Sequence, residues 1–217
     1  EVSRTAYSYA LSANPVSETM QTLVYDAAVR TLYCGGQNGS YYIVRNAQTY
    51  GGNLLAGYLN AFISPDPKAL DVALENLLYL NVDQPTRRTI GNSVNDLVVD
   101  MYNRSTAWVA TVAGLSRTTD SGTTWSNIPL TGGSSINCST VIIDSTNTVN
   151  AMTGTEDGVY RITASNGFVS KRIRSGLGNH KLIRSLTQSA GLPGSRRKVW
   201  VGTSGGVFIG QESLDLE

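Results

Sequence analysis

The sequence predicts an all-β fold made of repeated antiparallel sheets, and three observations carry that expectation. Five segments share one plan: an apolar strand often closed by Asp, a polar loop, a second strand, and a turn containing Gly. Their first strands start near residues 22, 60, 95, 139 and 182, giving spacings of 38, 35, 44 and 43 residues. The composition is turn-rich and sparsely charged, with 22 glycines and 15% charged residues in a 217-residue chain, which suits strands and hairpins better than helices. Runs such as AWVATV and VWVGT are rich in β-branched and aromatic residues and are punctuated by Gly and Asn, as strands are. A period near 40 with several strands per unit predicts a β-propeller of about five four-stranded blades, formed by residues 1–217 as a single domain.

Each repeat can be read in turn. The first is TLVYDAAVRTLYCGGQNGSYYIV, from Thr22. A weaker second copy is NAFISPDPKALDVALENLLYLNVDQPTRRTI, from Asn60. Its Pro entry and Leu/Ala-rich content predict a loop or helical turn at 67–75, followed by a strand at 77–82. The third repeat, NDLVVDMYNRSTAWVATVAGLSRTTDSGTTW, starts at Asn95, and the fourth, STVIIDSTNTVNAMTGTEDGVYRIT, at Ser139. The fifth, LIRSLTQSAGLPGSRRKVWVGTSGGVFIG, starts at Leu182 and supplies only three strands. Residues 1–21 contain an alternating strand, TAYSYALSA, with no place in the first repeat. It is expected to complete the last blade and cover that blade's edge. Trp108 and Trp200 hold equivalent second-strand positions and are expected to pack between blades.

Charge and composition narrow the function. A net charge of +1 produces no global field toward nucleic acid, so no nucleic-acid partner is expected. Nine basic residues and no acidic one lie between Asp157 and Glu212, a distribution that solvated loop charge explains. Cys34 and Cys138 are the only cysteines. They have no metal spacing and are expected to be buried thiols. No apolar run approaches the roughly 18 residues needed to span a membrane. There is no phosphate-binding loop, dinucleotide fingerprint or aromatic-plus-basic stacking platform, so no cofactor is expected.

One stretch stands out locally, RTTDSGTTW at 117–125. An Asp can close a turn by accepting hydrogen bonds from the N–H groups just downstream, and Gly supplies a positive φ. The stretch resembles the Asp-box, or bacterial neuraminidase repeat, Ser/Thr-x-Asp-x-Gly-x-Thr-Trp, through Thr118, Asp120, Gly122, Thr124 and Trp125. The fourth repeat has a similar lead-in, GVYRIT against GLSRTT, with Ala164 where Asp120 stands. KVWVGTSGGVFIG further resembles the repeat of regulator-type propellers, in which a Trp-containing strand runs into Gly-Thr-x-x-Gly. Asp-boxes occur in sialidases, other glycosidases, sorting receptors, photosystem assembly factors and viral proteins, so the resemblance implies a fold and not one activity. In those families the motif lies between the third and fourth strands, away from the ligand face. The resemblance therefore implies that Asp120 and Trp125 brace a hairpin.

The chemical candidates are few. His180 is the only histidine, and a loop residue leading into a strand explains it. Glycoside hydrolysis needs two carboxylates, and Asp83, Glu156 and Asp157 fall on second-to-third-strand turns. Polar turn chemistry accounts for Glu156 and Asp157 in TGTEDG. A sialidase would also need an arginine trio; Arg87, Arg88, Arg172, Arg174 and Arg184 are present, none in an Arg-Ile-Pro context. No catalytic or metal-binding residue is assigned. The expected binding loops carry Gln37, Asn38, Asp83, Gln84, Glu156 and Asp157 on the turn face, and Arg196, Arg197 and Lys198 elsewhere. The sequence thus predicts a non-enzymatic binding or assembly module with protein partners. Its Thr/Asn/Ser/Gly/Tyr-rich make-up suggests an extracellular or virion surface, for instance a phage capsid or tail. The alternatives are a surface-glycan-binding propeller and an Asp-box glycosidase.

Overall fold

The computed structural model describes residues 19–45, 86–131, 136–144, 150–164, 167–189 and 198–211. All regular structure among them is β. The first sheet is formed by β1 (Met20–Asp26), β2 (Thr31–Gly36), β3 (Ser40–Val44) and β4 (Thr86–Thr89). The second holds β5 (Val94–Val99), β6 (Ala107–Thr111), β7 (Gly114–Thr118) and β8 (Ser126–Ile128). The third holds β9 (Cys138–Ile143), β10 (Ala151–Thr155), β11 (Gly158–Thr163) and β12 (Val169–Ile173). The fourth consists of β13 (Ile183–Gln188), β14 (Lys198–Thr203) and β15 (Gly206–Gln211). Every pairing is antiparallel between sequence neighbours.

Pairing reassigns one stretch. Thr86–Thr89, read from sequence as the end of a second repeat, is the fourth strand of the first sheet, with Tyr42 opposite Arg87. An exposed TRRT carries no apolar face of its own, so the edge it joins is decided by backbone pairing with β3. The stretches expected as a helical turn at 67–75 and a strand at 77–82 lie outside the described residues, as does the closing strand in residues 1–21 up to residue 18.

The four sheets repeat one register. Each first strand has an irregularity between its first and third residues, at Met20/Thr22, Val94/Asp96, Cys138/Thr140 and Ile183/Ser185. That common bulge makes Met20, Val94, Cys138 and Ile183 equivalent. Opposite their third-residue neighbours stand Gly35, Ala110, Gly154 and Gly202. The first strands β1, β5, β9 and β13 lie side by side in sequence order, and each later one also meets the second strand of the preceding sheet.

A size match governs these junctions. A Cβ added to Gly35 would stand 2.9 Å from Val94 Cβ, and one added to Gly154 would stand 2.5 Å from Ile183 Cγ2. Where the second strand carries Ala110, the next sheet offers the smaller Cys138, in the same core cluster. Glycine takes the branched residue and alanine takes the thiol, so each junction has close to the same filled volume. Around these contacts the core forms between sheets: Tyr33, Tyr41, Leu97 and Val109 join the first to the second. Trp108, Leu115, Val141 and Tyr160 join the second to the third, and Met152, Val159, Leu186 and Val201 join the third to the fourth.

Gly35→Val and Gly154→Val should each overpack a junction and cost about 1–3 kcal/mol, read as a lower urea midpoint. Midpoints equal to that of the parent protein would show that the sheets do not meet through these glycines.

Candidate functional site

Three of the four described turns between second and third strands share one local chemistry, while the first, Gly36–Gly39, closes through Gly39 N to Gly36 O. Thr111 donates its hydroxyl to Gly114 O while accepting from Ala113 N, and Thr155 does the same with Gly158 O and Asp157 N. Thr203 repeats it with Gly206 O and Gly205 N. The turn ends are then tied to the chain entering each sheet, through Gln37 N to Thr19 O, Val112 N to Ser93 O and Ser204 N to Leu182 O. The Thr-x-x-Gly sequence thus fixes three of these hairpins through the Thr hydroxyl and the Gly carbonyl.

The tips carry the candidate binding residues. Gln37, Asn38 and Glu156 are exposed. Asp157 is engaged: Arg172 Nη1 donates to its Oδ2 at 2.6 Å, and Arg174 donates to its Oδ1. Arg174, with Arg172 beside it, holds the Asp157 carboxyl below the usual carboxylate range. Asp83 and Gln84 lie outside the described residues, as do Arg196 and Arg197; Lys198 is exposed at the start of β14. His180 sits tilted toward Phe208, with ring centroids 6.0 Å apart, and its backbone N–H donates to Leu177 O. No group of three His, Cys, Asp or Glu side chains suited to a metal occurs among the described residues. Cys34 and Cys138 are free and buried, and burial pushes their thiols up to about 12 and about 11.

The Thr118–Trp125 turn connects β7 to β8. Asp120 Oδ1 accepts from Thr118 Oγ1 at 2.8 Å and from Thr124 N at 2.9 Å, and its Oδ2 accepts from Thr124 Oγ1 at 2.7 Å. Thr118 Oγ1 in turn accepts from Gly122 N at 2.9 Å. Gly122 has φ +80°, and a side chain there would collide with the Tyr41 ring of the first sheet. Trp125 meets the same ring edge-on at 5.3 Å. The bonds from Thr124 and Thr118 pull the Asp120 carboxyl down to about 2.

Sequence reasoning passed over other polar groups that join sheets. Asp96 on β5 accepts from Thr22 at 3.3 Å in the first sheet, and from Thr140 at 2.8 Å and Val141 N at 3.0 Å in the third. Asn95 donates to Cys138 O, and its equivalent Ser139 donates to Ile183 O. Buried Asp26 pairs with Arg104 at 2.5 Å, which lowers the Asp26 carboxyl and links the first two sheets. The signal was partly legible, since LVYD and LVVD both close a first strand with Asp.

Four-fold repetition of one antiparallel sheet, joined through its first strands, defines a β-propeller, and comparison with solved structures gives the same class. The β-propeller domain of Cps50 (Swd1) from Myceliophthora thermophila aligns at 11% identity and TM-score 0.57, over 90% of this chain and 52% of that one. Sqt1 of Saccharomyces cerevisiae aligns at 13% and 0.56, over 92% and 47%. YCF48 bound to D1 peptide aligns at 15% and 0.53, over 93% and 54%. The chain therefore spans about half the length of these propeller chains. No family model and no curated protein sequence matches it.

Acid should unfold this protein through its bonded carboxylates. The Asp120, Asp157 and Asp26 carboxyls are lowered in the folded state, against unfolded values near 4. Their stabilisation is complete above about pH 4 and is lost as pH falls through the folded values, about 2 for Asp120. Urea midpoints measured from pH 7 down to 2 should fall over that window, and Asp120→Asn should flatten the fall. Trp125→Ala should cost about 3 kcal/mol through lost packing on Tyr41, measured by the same unfolding curves.

Proposed function

We propose that this chain is a non-enzymatic propeller module that binds protein partners through the second-to-third-strand turn face. The observation that carries this reading is the division of labour among its polar groups. Asp96, Asp120 and Asp157 are occupied by structural hydrogen bonds or arginines, while Gln37 and Glu156 stand exposed at hairpin tips, with Asn38 exposed beside Gln37. A general acid and base require two carboxylates free to exchange protons at a set separation. Exposed polar side chains on a rigid frame suit recognition instead.

On this reading Thr118, Asp120, Gly122, Thr124 and Trp125 form an Asp-box that acts as a joint between the first two blades. The loop with Arg196, Arg197 and Lys198 is a second contact surface, electrostatic and weakened by salt over about 8–10 Å. The Ser/Thr/Asn-rich, weakly charged composition favours work in an extracellular or virion-surface assembly.

A two-sided assay tests the proposal. Purified chain incubated with sialosides, arabinans and xyloglucan should release no sugar; turnover abolished by Glu156→Gln would overturn the reading. Gln37→Ala/Asn38→Ala/Glu156→Lys should leave the melting curve unchanged, since exposed turn charges contribute little to stability. The same variant should lose the protein neighbours that quantitative proximity labelling finds on the parent chain, whereas Tyr102→Ala, on a different turn, should keep them. Equal retention by both variants would remove the turn face from the proposal.

A further inference from the structure

A cavity of about 220 Å³ lies between the third and fourth blades, and its character follows from a comparison with the junction before it. Across the paired strands, Met152, Val159, Arg161 and Ile173 hold the places that Trp108, Leu115, Arg117 and Ile128 hold one blade earlier. At that earlier junction the Arg117 guanidinium lies 5.4 Å over two rings, Trp108 of its own blade and Phe168 of the next. The two rings meet edge-on. One blade further on, Met stands in place of Trp and Val in place of Leu. The same frame therefore carries less side-chain volume, while the arginine is kept.

The walls of the cavity divide into a deep part and a mouth. Met152, Val159, Leu177, Val199 and Val201 are buried and apolar, and with Phe208 they form the deep part. Arg161 is half-buried, and Ser175 and Ile209 are exposed, which places these three at the mouth. Size and chemistry then select an occupant. A dry apolar cavity of about 150 Å³ holds benzene, so this one has room for a single ring with a substituent. Three of its wall groups favour an aromatic guest over a saturated one. A guanidinium attracts the face of a ring, a thioether sulfur makes favourable contacts with ring edges, and a phenyl wall offers edge-to-face packing.

We infer that this cavity binds a small phenolic molecule. Its ring enters among Met152, Val159 and Phe208 and lies by Arg161 as the Phe168 ring lies by Arg117 one junction earlier. Its hydroxyl stays at the mouth, where Ser175 supplies a hydrogen-bonding partner. The buried apolar floor takes the ring out of water, and the arginine and thioether make the site selective for a π system over an aliphatic group of the same size. Gln37, Asn38 and Glu156 do not line the cavity, so the site is separate from the turn face and stands whether or not that face binds protein.

Titration of the full chain with phenol, followed by NMR of isotope-labelled methionine methyl groups, tests the site. The Met152 signal, identified by its loss in Met152→Leu, should shift through the ring current of the bound phenol, while the Met20 and Met101 signals stay in place. The dissociation constant should be millimolar or tighter, as the atom count of phenol allows. Cyclohexanol, of similar size but without a π system, should bind about fivefold more weakly. Arg161→Met keeps the aliphatic stem at a half-buried position; it should weaken phenol about fivefold and leave cyclohexanol unchanged. Met152→Trp restores the residue found one blade earlier, and should remain folded by circular dichroism while losing phenol binding by calorimetry. An unmoved Met152 signal at millimolar phenol would overturn the inference. So would equal affinity for phenol and cyclohexanol, or unchanged phenol binding by Arg161→Met.

Discussion

The structure depends on one steric match, repeated at each junction between blades. A residue without a side chain, or with only a methyl, sits in the second strand and receives the first residue of the next blade. Gly35 takes Val94, Gly154 takes Ile183, and Ala110 takes Cys138. Since interiors are packed to crystal density, a change on one side of such a contact must be matched on the other. Trp108, Tyr41, Tyr160 and Ile183 are fully buried in the clusters around these contacts.

Polar groups close to the axis are spent on the same task. Asp96 joins three blades by accepting bonds from Thr22, Thr140 and Val141 N. Asn95 and Ser139 each reach the carbonyl of the next blade's first residue. A buried or half-buried carboxylate left without partners would be costly, and here such groups bond across junctions. Carboxylates so committed cannot readily act as proton donors or acceptors.

The arginines show the same economy at the rim. Arg117 lies 5.4 Å over both Trp108 and Phe168, and Phe168 meets Trp108 edge-on at 5.5 Å. Burial lowers the Arg117 pKa, a cost opposed by the nearby Asp100 charge. Phe168 precedes β12 as Trp125 precedes β8, so in two blades an aromatic residue at the start of the fourth strand seals the gap to the blade before. Between the third and fourth blades lies a cavity of about 220 Å³, lined by Met152, Val159, Ile173, Leu177 and Phe208.

What the sequence determined by itself is the local plan. Alternating strands, Thr-x-x-Gly hairpins and the Asp120 turn are all set by residues within a few positions of one another, because side-chain period and turn geometry are local properties. First strands expected near 22, 95, 139 and 182 correspond to strands starting at 20, 94, 138 and 183. What the tertiary structure decided is partnership. Thr86–Thr89 could pair with any free edge and pairs with β3. Asp157 reads as a turn acid until Arg172 and Arg174, more than a dozen residues away, occupy it. Trp108 and Trp200 are alike in sequence, yet Trp108 is buried against the third sheet while Trp200 is 37% exposed. Burial is a property of neighbours brought together across the chain, and no repeat encodes its own neighbours.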